Sequence, residues 1–169
     1  MQRPEKNEYN EYYERYISLV DETDIVGAFE KQLGEMSELF DSISEEKSKF
    51  AYAEGKWMIK ELVGHLIDGE RMFGYRALRI SRGDETPIEG FEQDGYVENA
   101  PFNDYKFSDL VKEFELVRES SILFFRHLKE TDWTRLGTAS DNPVSVRALA
   151  YIMVGHVSHH AKILRERYL

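Results

Sequence analysis

Apolar residues recur at three- and four-residue spacing through four long segments of this chain, and that period points to helix packed on helix. In the first segment, about residues 24–47, Ile25, Phe29, Leu33, Met36, Phe40 and Ile43 share one face. The second, about 58–82, carries Ile59, Leu62, Val63, Leu66, Phe73 and Ile80. The third, about 107–128, shows Leu110, Phe114, Val117, Ser121, Phe124 and Leu128. The fourth, about 144–168, shows Val146, Leu149, Met153, Val157, His160 and Leu164. No segment shows the alternation expected of a half-buried strand. Gly55 closes the first connection, and Gly83-Asp84 follows the second helix as a stop signal. Ser108-Asp109 opens the third helix, and Asp141-Asn142-Pro143 marks a turn before the fourth. A shorter helix over about 9–20 places Tyr9, Tyr12, Tyr13, Tyr16, Ile17 and Val20 on one side, as an arm packed over the bundle.

Loop length then selects a topology. The second and third helices are separated by residues 83–106, a stretch that includes Pro87 and Pro101. Extended chain covers about 3.3 Å per residue and a 25-residue helix is about 37 Å long, so this connection can run the length of the bundle. The expectation is an all-α protein, a four-helix bundle with one long crossover between helices 2 and 3 and a short N-terminal helical arm. With 169 residues, residues 1–169 read as a single domain.

Composition removes several functions. The chain has no cysteine, which excludes disulfides, thiolate metal sites, iron–sulfur clusters and a cysteine nucleophile. Its formal net charge of −10 argues against nucleic acid as a partner. The longest apolar runs fall far short of the roughly 20 residues that span a bilayer, so no membrane partner is expected. The N-terminus MQRPEKNEYNEYYERYISLV is polar and tyrosine-rich and lacks the apolar stretch of a signal peptide, which points to a cytoplasmic location.

Chemistry concentrates in the histidines. His156, His159 and His160 lie together in the fourth helix, in the run GHVSHHAKIL. At about 100° per residue, His156 and His160 fall about 40° apart inside the apolar stripe, and His159 falls about 60° to the other side of His156, at its edge. Two buried imidazoles need polar partners, since an unsatisfied buried polar group costs about 1–3 kcal/mol. Residues one turn apart can converge on one metal ion, and a third ligand would come from a facing helix. His65, on the second helix, is the candidate; the competing reading is three core histidines satisfied by ordinary hydrogen bonds. His127 reads as a charge complement to the end of the third helix.

Three stretches carry a family resemblance: GKWMIKELVGHLIDGERMFGYRALRISRGD, PIEGFEQDGYV and GHVSHHAKILRERYL. Their combination, GHLID followed about 90 residues later by GHxxHH, resembles the DinB-like superfamily of DinB/YfiT-type metalloenzymes over most of the chain. The resemblance implies a four-helix bundle in which His65, His156 and His160 hold a divalent metal ion (Zn, Ni or Fe). His159 then corresponds to an adjacent histidine that is usually not a ligand and can orient a ligand or shuttle protons. The family includes thiol S-transferases that use bacillithiol or related low-molecular-weight thiols, a mycothiol-dependent isomerase, and proteins labelled hydrolases by analogy. A homodimer is expected by resemblance.

The implied function is a metal-dependent thiol S-transferase acting on small electrophiles. The alternatives are a metal-dependent hydrolase of a small amide or ester, and a non-catalytic, stress-related metal-binding protein. Because the chain has no cysteine, any reacting thiol must arrive as a cosubstrate. Around the histidines, Asp68 can orient a ligand or pair with Arg71 or Arg76 on the helix surface. Arg76 falls about 20° from His65 and can neutralise a substrate carboxylate. Phe91, Gln93, Asp94 and Tyr96 of the crossover can cover the pocket, and Trp57 reads as a packing anchor. Glu70 falls on the apolar side with no evident role.

Overall fold

Four long helices make up the body of the computed structural model, which describes residues 2–169. In chain order the elements are α1 (Glu14–Ile17), α2 (Ile25–Asp41), α3 (Ile59–Ser81), α4 (Gln93–Asn99), α5 (Phe107–Arg126), α6 (Glu130–Trp133), β1 (Leu136–Ala139), β2 (Asn142–Ser145) and α7 (Val146–Ile163). α7 continues into a π-helical turn over Leu164–Tyr168. α3 packs against α5 and α7, and α2 packs against the same two helices. The first two long helices therefore lie at opposite corners of the bundle, and the connection of residues 83–106 carries the chain from α3 to α5.

Local chemistry sets the helix limits. Asp24 Oδ1 accepts the amide of Gly27 at 3.1 Å to open α2. The helix stops at Asp41, short of the expected residue 47. There Ser42 Oγ donates to the Leu39 carbonyl (2.6 Å) and Ser44 Oγ accepts from the Lys47 amide (3.1 Å), so serine side chains compete with the helical ladder. Glu61 Oε2 accepts the Met58 amide at 2.7 Å at the start of α3, and Gly83, with φ at +80°, closes its end. Ser145 Oγ accepts the Ala148 amide at 3.0 Å, which makes Val146 the first residue of α7.

Two departures from the sequence expectation involve short elements. β1 and β2 form an antiparallel hairpin, where no strand was expected. Each strand has four residues, too few for alternation to register, and the turn rests on Ser140 and Asp141 at φ +51° and +61°. The expected turn at 141–143 thus lies one residue earlier, and Asn142 and Pro143 belong to β2. The crossover is also more ordered than a plain loop. Ile88 bonds to the hairpin on both sides of Ala139 (Ile88 N to Thr138 O and Ser140 N to Ile88 O, each 2.9 Å). Glu92 Oε2 accepts the Asp94 and Gly95 amides (3.1 Å each) to start α4. Ile88, Val97 and Phe102 are buried and pin the crossover to the bundle.

The core divides into two buried clusters. One gathers Phe29, Phe125, Leu149, Tyr151 and Met153 with residues of the N-terminal arm; the other gathers Phe40, Leu66, Phe107, Phe114 and Val157. Along α7, Val154 belongs to the first and Val157 to the second, so His156 sits at their junction.

Candidate metal centre

α3 and α7 face each other and bring His65, His156 and His160 together. Nε2 of His65 lies 2.9 Å from Nε2 of His156, and one ring nitrogen from each of the three residues falls within 4.8 Å of the others. Burial pulls the His65 pKa down to about 4 and that of His160 to about 3, and holds His156 well below its usual value. All three are therefore neutral imidazoles near pH 7, the form that ligates a cation. Nδ1 of His160 is buried with no hydrogen-bond partner, a state that costs free energy unless something else satisfies the nitrogen. This all-nitrogen, carboxylate-free donor set, crowded at these distances, fits a divalent transition metal.

Two glycines make the geometry possible. Gly69 lies one turn beyond His65, where a Cβ would sit 3.0 Å from Cε1 of His156. At Gly155 a Cβ would sit 2.1 Å from the Tyr16 carbonyl oxygen, so this residue lets α1 lie directly on α7. Tyr16 then packs edge-on against His156 and His159, with centroids 5.3 and 5.4 Å away. Across the site, the Trp57 ring lies 4.9 Å from His65, held where the Tyr168 hydroxyl donates to the Trp57 carbonyl at 2.7 Å.

A cavity of about 260 Å³ opens onto His65 and His156. Its walls are Tyr12, Tyr13 and Tyr16 from the arm, Phe73 from α3, and Phe91, Glu92 and Gln93 from the crossover. The arm expected to serve as packing therefore also builds a wall of the site. Periodicity flagged these tyrosines as one face, but nothing local in the sequence ties that face to residues more than 50 positions away.

The remaining predicted residues are distributed unevenly. His159 is half-buried, with its ring 5.1 Å from that of His160, and burial lowers its pKa. Asp68 faces Arg71 at 4.0 Å and lines a cleft with Tyr96 and Asn99, apart from the histidine cluster. Arg76 is placed behind the cavity wall and not in it: its Nη2 donates to the Glu89 carbonyl and to Ser140 Oγ (3.1 Å each), beside Phe73 and Phe91. Its contacts tie α3 to the crossover and the hairpin. Phe91 and Gln93 do cover the cavity, whereas Tyr96 faces the Asp68 cleft. His127 caps the end of α5. Glu70, without a role in the sequence, is buried against Arg118 of α5, with Oε1 3.1 Å from Nη2.

The sequence model described as the DinB superfamily matches residues 28–164. Among solved structures, YfiT from Bacillus subtilis, described as "a probable metal-dependent hydrolase with an unusual four-helix bundle topology", superposes with a TM-score of 0.73 at 15% identity, over 97% of this chain and 92% of that one. A mycothiol-dependent maleylpyruvate isomerase superposes with a TM-score of 0.71 at 13% identity, over 86% of this chain and 61% of that one, so this chain spans under two thirds of its length. At such identities the likeness is one of fold. No curated protein sequence matches the chain significantly.

Proposed function

The chain belongs to the DinB superfamily, and from that premise we propose that it is a metal-dependent thiol S-transferase, in which His65, His156 and His160 hold a divalent cation and a low-molecular-weight thiol such as bacillithiol is transferred to a small electrophile. The observation that carries the reading is the cluster of three neutral imidazoles, two of which, His65 and His156, are buried and form the floor of an aromatic-walled cavity. When bound, the cation supplies positive charge that no ligand carboxylate offsets, which lowers the pKa of a thiol or water beside it.

The protein's own groups supply the rest. The rings of Tyr12, Tyr13, Tyr16, Phe73 and Phe91 offer apolar surface to the electrophile. In the transfer, the thiolate sulfur attacks the electrophilic carbon. The C–S bond forms as the bond to the leaving group breaks, and the leaving group departs with the bonding pair. The thiol proton passes to His159, whose ring lies 5.1 Å from that of His160.

Elemental analysis and a thiol-dependence assay test the reading. The purified protein is expected to carry one divalent ion per chain, His160→Ala to lose it, and His159→Ala to keep it. Product formation is expected only when thiol is added. Full metal content in His160→Ala would sink the ligand assignment. A second reading, hydrolysis of a small amide or ester, is favoured by the fold shared with YfiT; turnover of such a substrate without thiol would select it.

A further inference from the structure

A second cavity also reaches the histidine cluster. Its volume is about 430 Å³, and it meets His160, the least buried of the three, among Trp57, Tyr168, Lys56 and Asp94. His65 and His156 line the aromatic cavity instead. α4 contributes to both, with Gln93 in one and the next residue, Asp94, in the other.

The two cavities differ in chemistry. The aromatic one is lined by five rings and a single carboxylate, that of Glu92, and by no cationic side chain. The second holds one ammonium and one carboxylate, Lys56 and Asp94. Both residues are exposed, and neither side chain has an ion-pair partner among the described residues. A free cation and a free anion lining one cavity with a histidine suit a small molecule that itself carries both signs of charge.

We propose that the cavity at His160 is a separate subsite that receives a small thiol bearing both a carboxylate and an ammonium group, the carboxylate toward Lys56 and the ammonium toward Asp94. The inference rests on the thiol-transfer reading above and adds where, and by which groups, the thiol is recognised. The electrophile takes the aromatic cavity. Each reactant then has its own approach to the histidine cluster, the thiol at His160 and the electrophile at His65 and His156, and neither has to leave before the other binds. Holding two reactants in separate, fixed places removes much of the entropic cost of their encounter.

Calorimetric titration of the metal-loaded protein tests this, with metal content checked after each run. The probes are L-cysteine, cysteamine, which lacks the carboxylate, and 3-mercaptopropionate, which lacks the ammonium. The wild type is expected to bind L-cysteine roughly 5-fold more tightly than either fragment, the effect of about 1 kcal/mol from one exposed charge pair. Lys56→Gln is expected to weaken L-cysteine and 3-mercaptopropionate by roughly the same factor and leave cysteamine unchanged. Asp94→Asn is expected to weaken L-cysteine and cysteamine and leave 3-mercaptopropionate unchanged. If all three thiols bind and neither variant discriminates among them, the subsite is overturned while thiol transfer stands. If no thiol binds the fully metal-loaded wild type, the thiol reading falls and the subsite falls with it.

Discussion

Glu70 stands five residues after a proposed metal ligand and is itself buried, with its carboxylate 3.1 Å from the guanidinium of an equally buried Arg118. Ser121 Oγ donates to the other carboxylate oxygen at 3.0 Å. The guanidinium lies over the rings of Phe29 (4.7 Å) and Phe114 (5.6 Å), so α2, α3 and α5 all meet at this pair. Two charges withdrawn from water are held by their mutual attraction, one hydroxyl donor and two aromatic faces, which makes the loss of one charged partner far worse than the loss of both. Glu70→Ala is expected to cost about 3–5 kcal/mol in urea unfolding. The double variant Glu70→Leu with Arg118→Leu should be more stable than that single variant. A double variant as unstable as the sum of its two singles would show that the pair is not coupled. In sequence, Glu70 was legible as an anomaly, a charge on an apolar stripe, but its partner was not. Arg118 comes from another helix, and single-helix periodicity carries no information on which faces meet. The three histidines were legible because two of them lie one turn apart on the same helix, where spacing alone brings side chains together.

At the scale of elements, the N-terminal arm depends on a close approach of two backbones. Gly155 leaves α7 bare where the Tyr16 carbonyl lies, and a methyl group there would sit 2.1 Å from that oxygen. Backbone cannot yield as a side-chain tip can, so Gly155→Ala is expected to lift α1 and to lower stability by about 1–3 kcal/mol. Hydrogen exchange should rise across residues 11–20, and the aromatic cavity should lose its tyrosine wall. Gly34→Ala is the control. Gly34 sits within α2, and a methyl group there would meet nothing within 4 Å, so alanine should stabilise by about 0.5–1 kcal/mol. An arm equally protected from exchange in wild type and Gly155→Ala would refute the backbone contact. The long helices were readable because each repeats its pattern over several turns. The hairpin and α4 were not, since four residues of strand and seven of helix hold too few periods, and both are fixed by contacts with distant chain: Ile88 on β1, and Val97 buried against the bundle.

Taken as a whole, the molecule holds its three-histidine cluster neutral inside a chain of net charge −10, and this makes stability and metal occupancy respond to the same protons. Loop length was enough to read the crossover, and the absence of cysteine was enough to exclude a thiolate metal site. The degree of burial was not readable, because it arises from the arm, the crossover and Trp57 closing over α3 and α7 together. That burial sets the pH dependence. In the unfolded chain a histidine takes up its proton near pH 6.5, whereas in the folded, metal-free protein burial delays this to about 4 at His65 and about 3 at His160, and shifts His156 in the same direction. Between those limits the unfolded state binds protons that the folded state refuses, so stability falls as pH drops. The loss begins below about pH 6.5, at about 1.4 kcal/mol per pH unit for each histidine once the unfolded imidazoles are fully charged, before carboxylates begin to titrate. Thermal unfolding of the metal-free protein should therefore show a midpoint that is level from pH 8 to 7 and declines from pH 6.5 to 5. Added divalent metal should raise the midpoint in proportion to the logarithm of its free concentration, and this gain should shrink as protons compete for the same nitrogens. A midpoint that stays level from pH 7 to 5 without metal would mean that these imidazoles are open to water, and the enclosed centre would have to be abandoned.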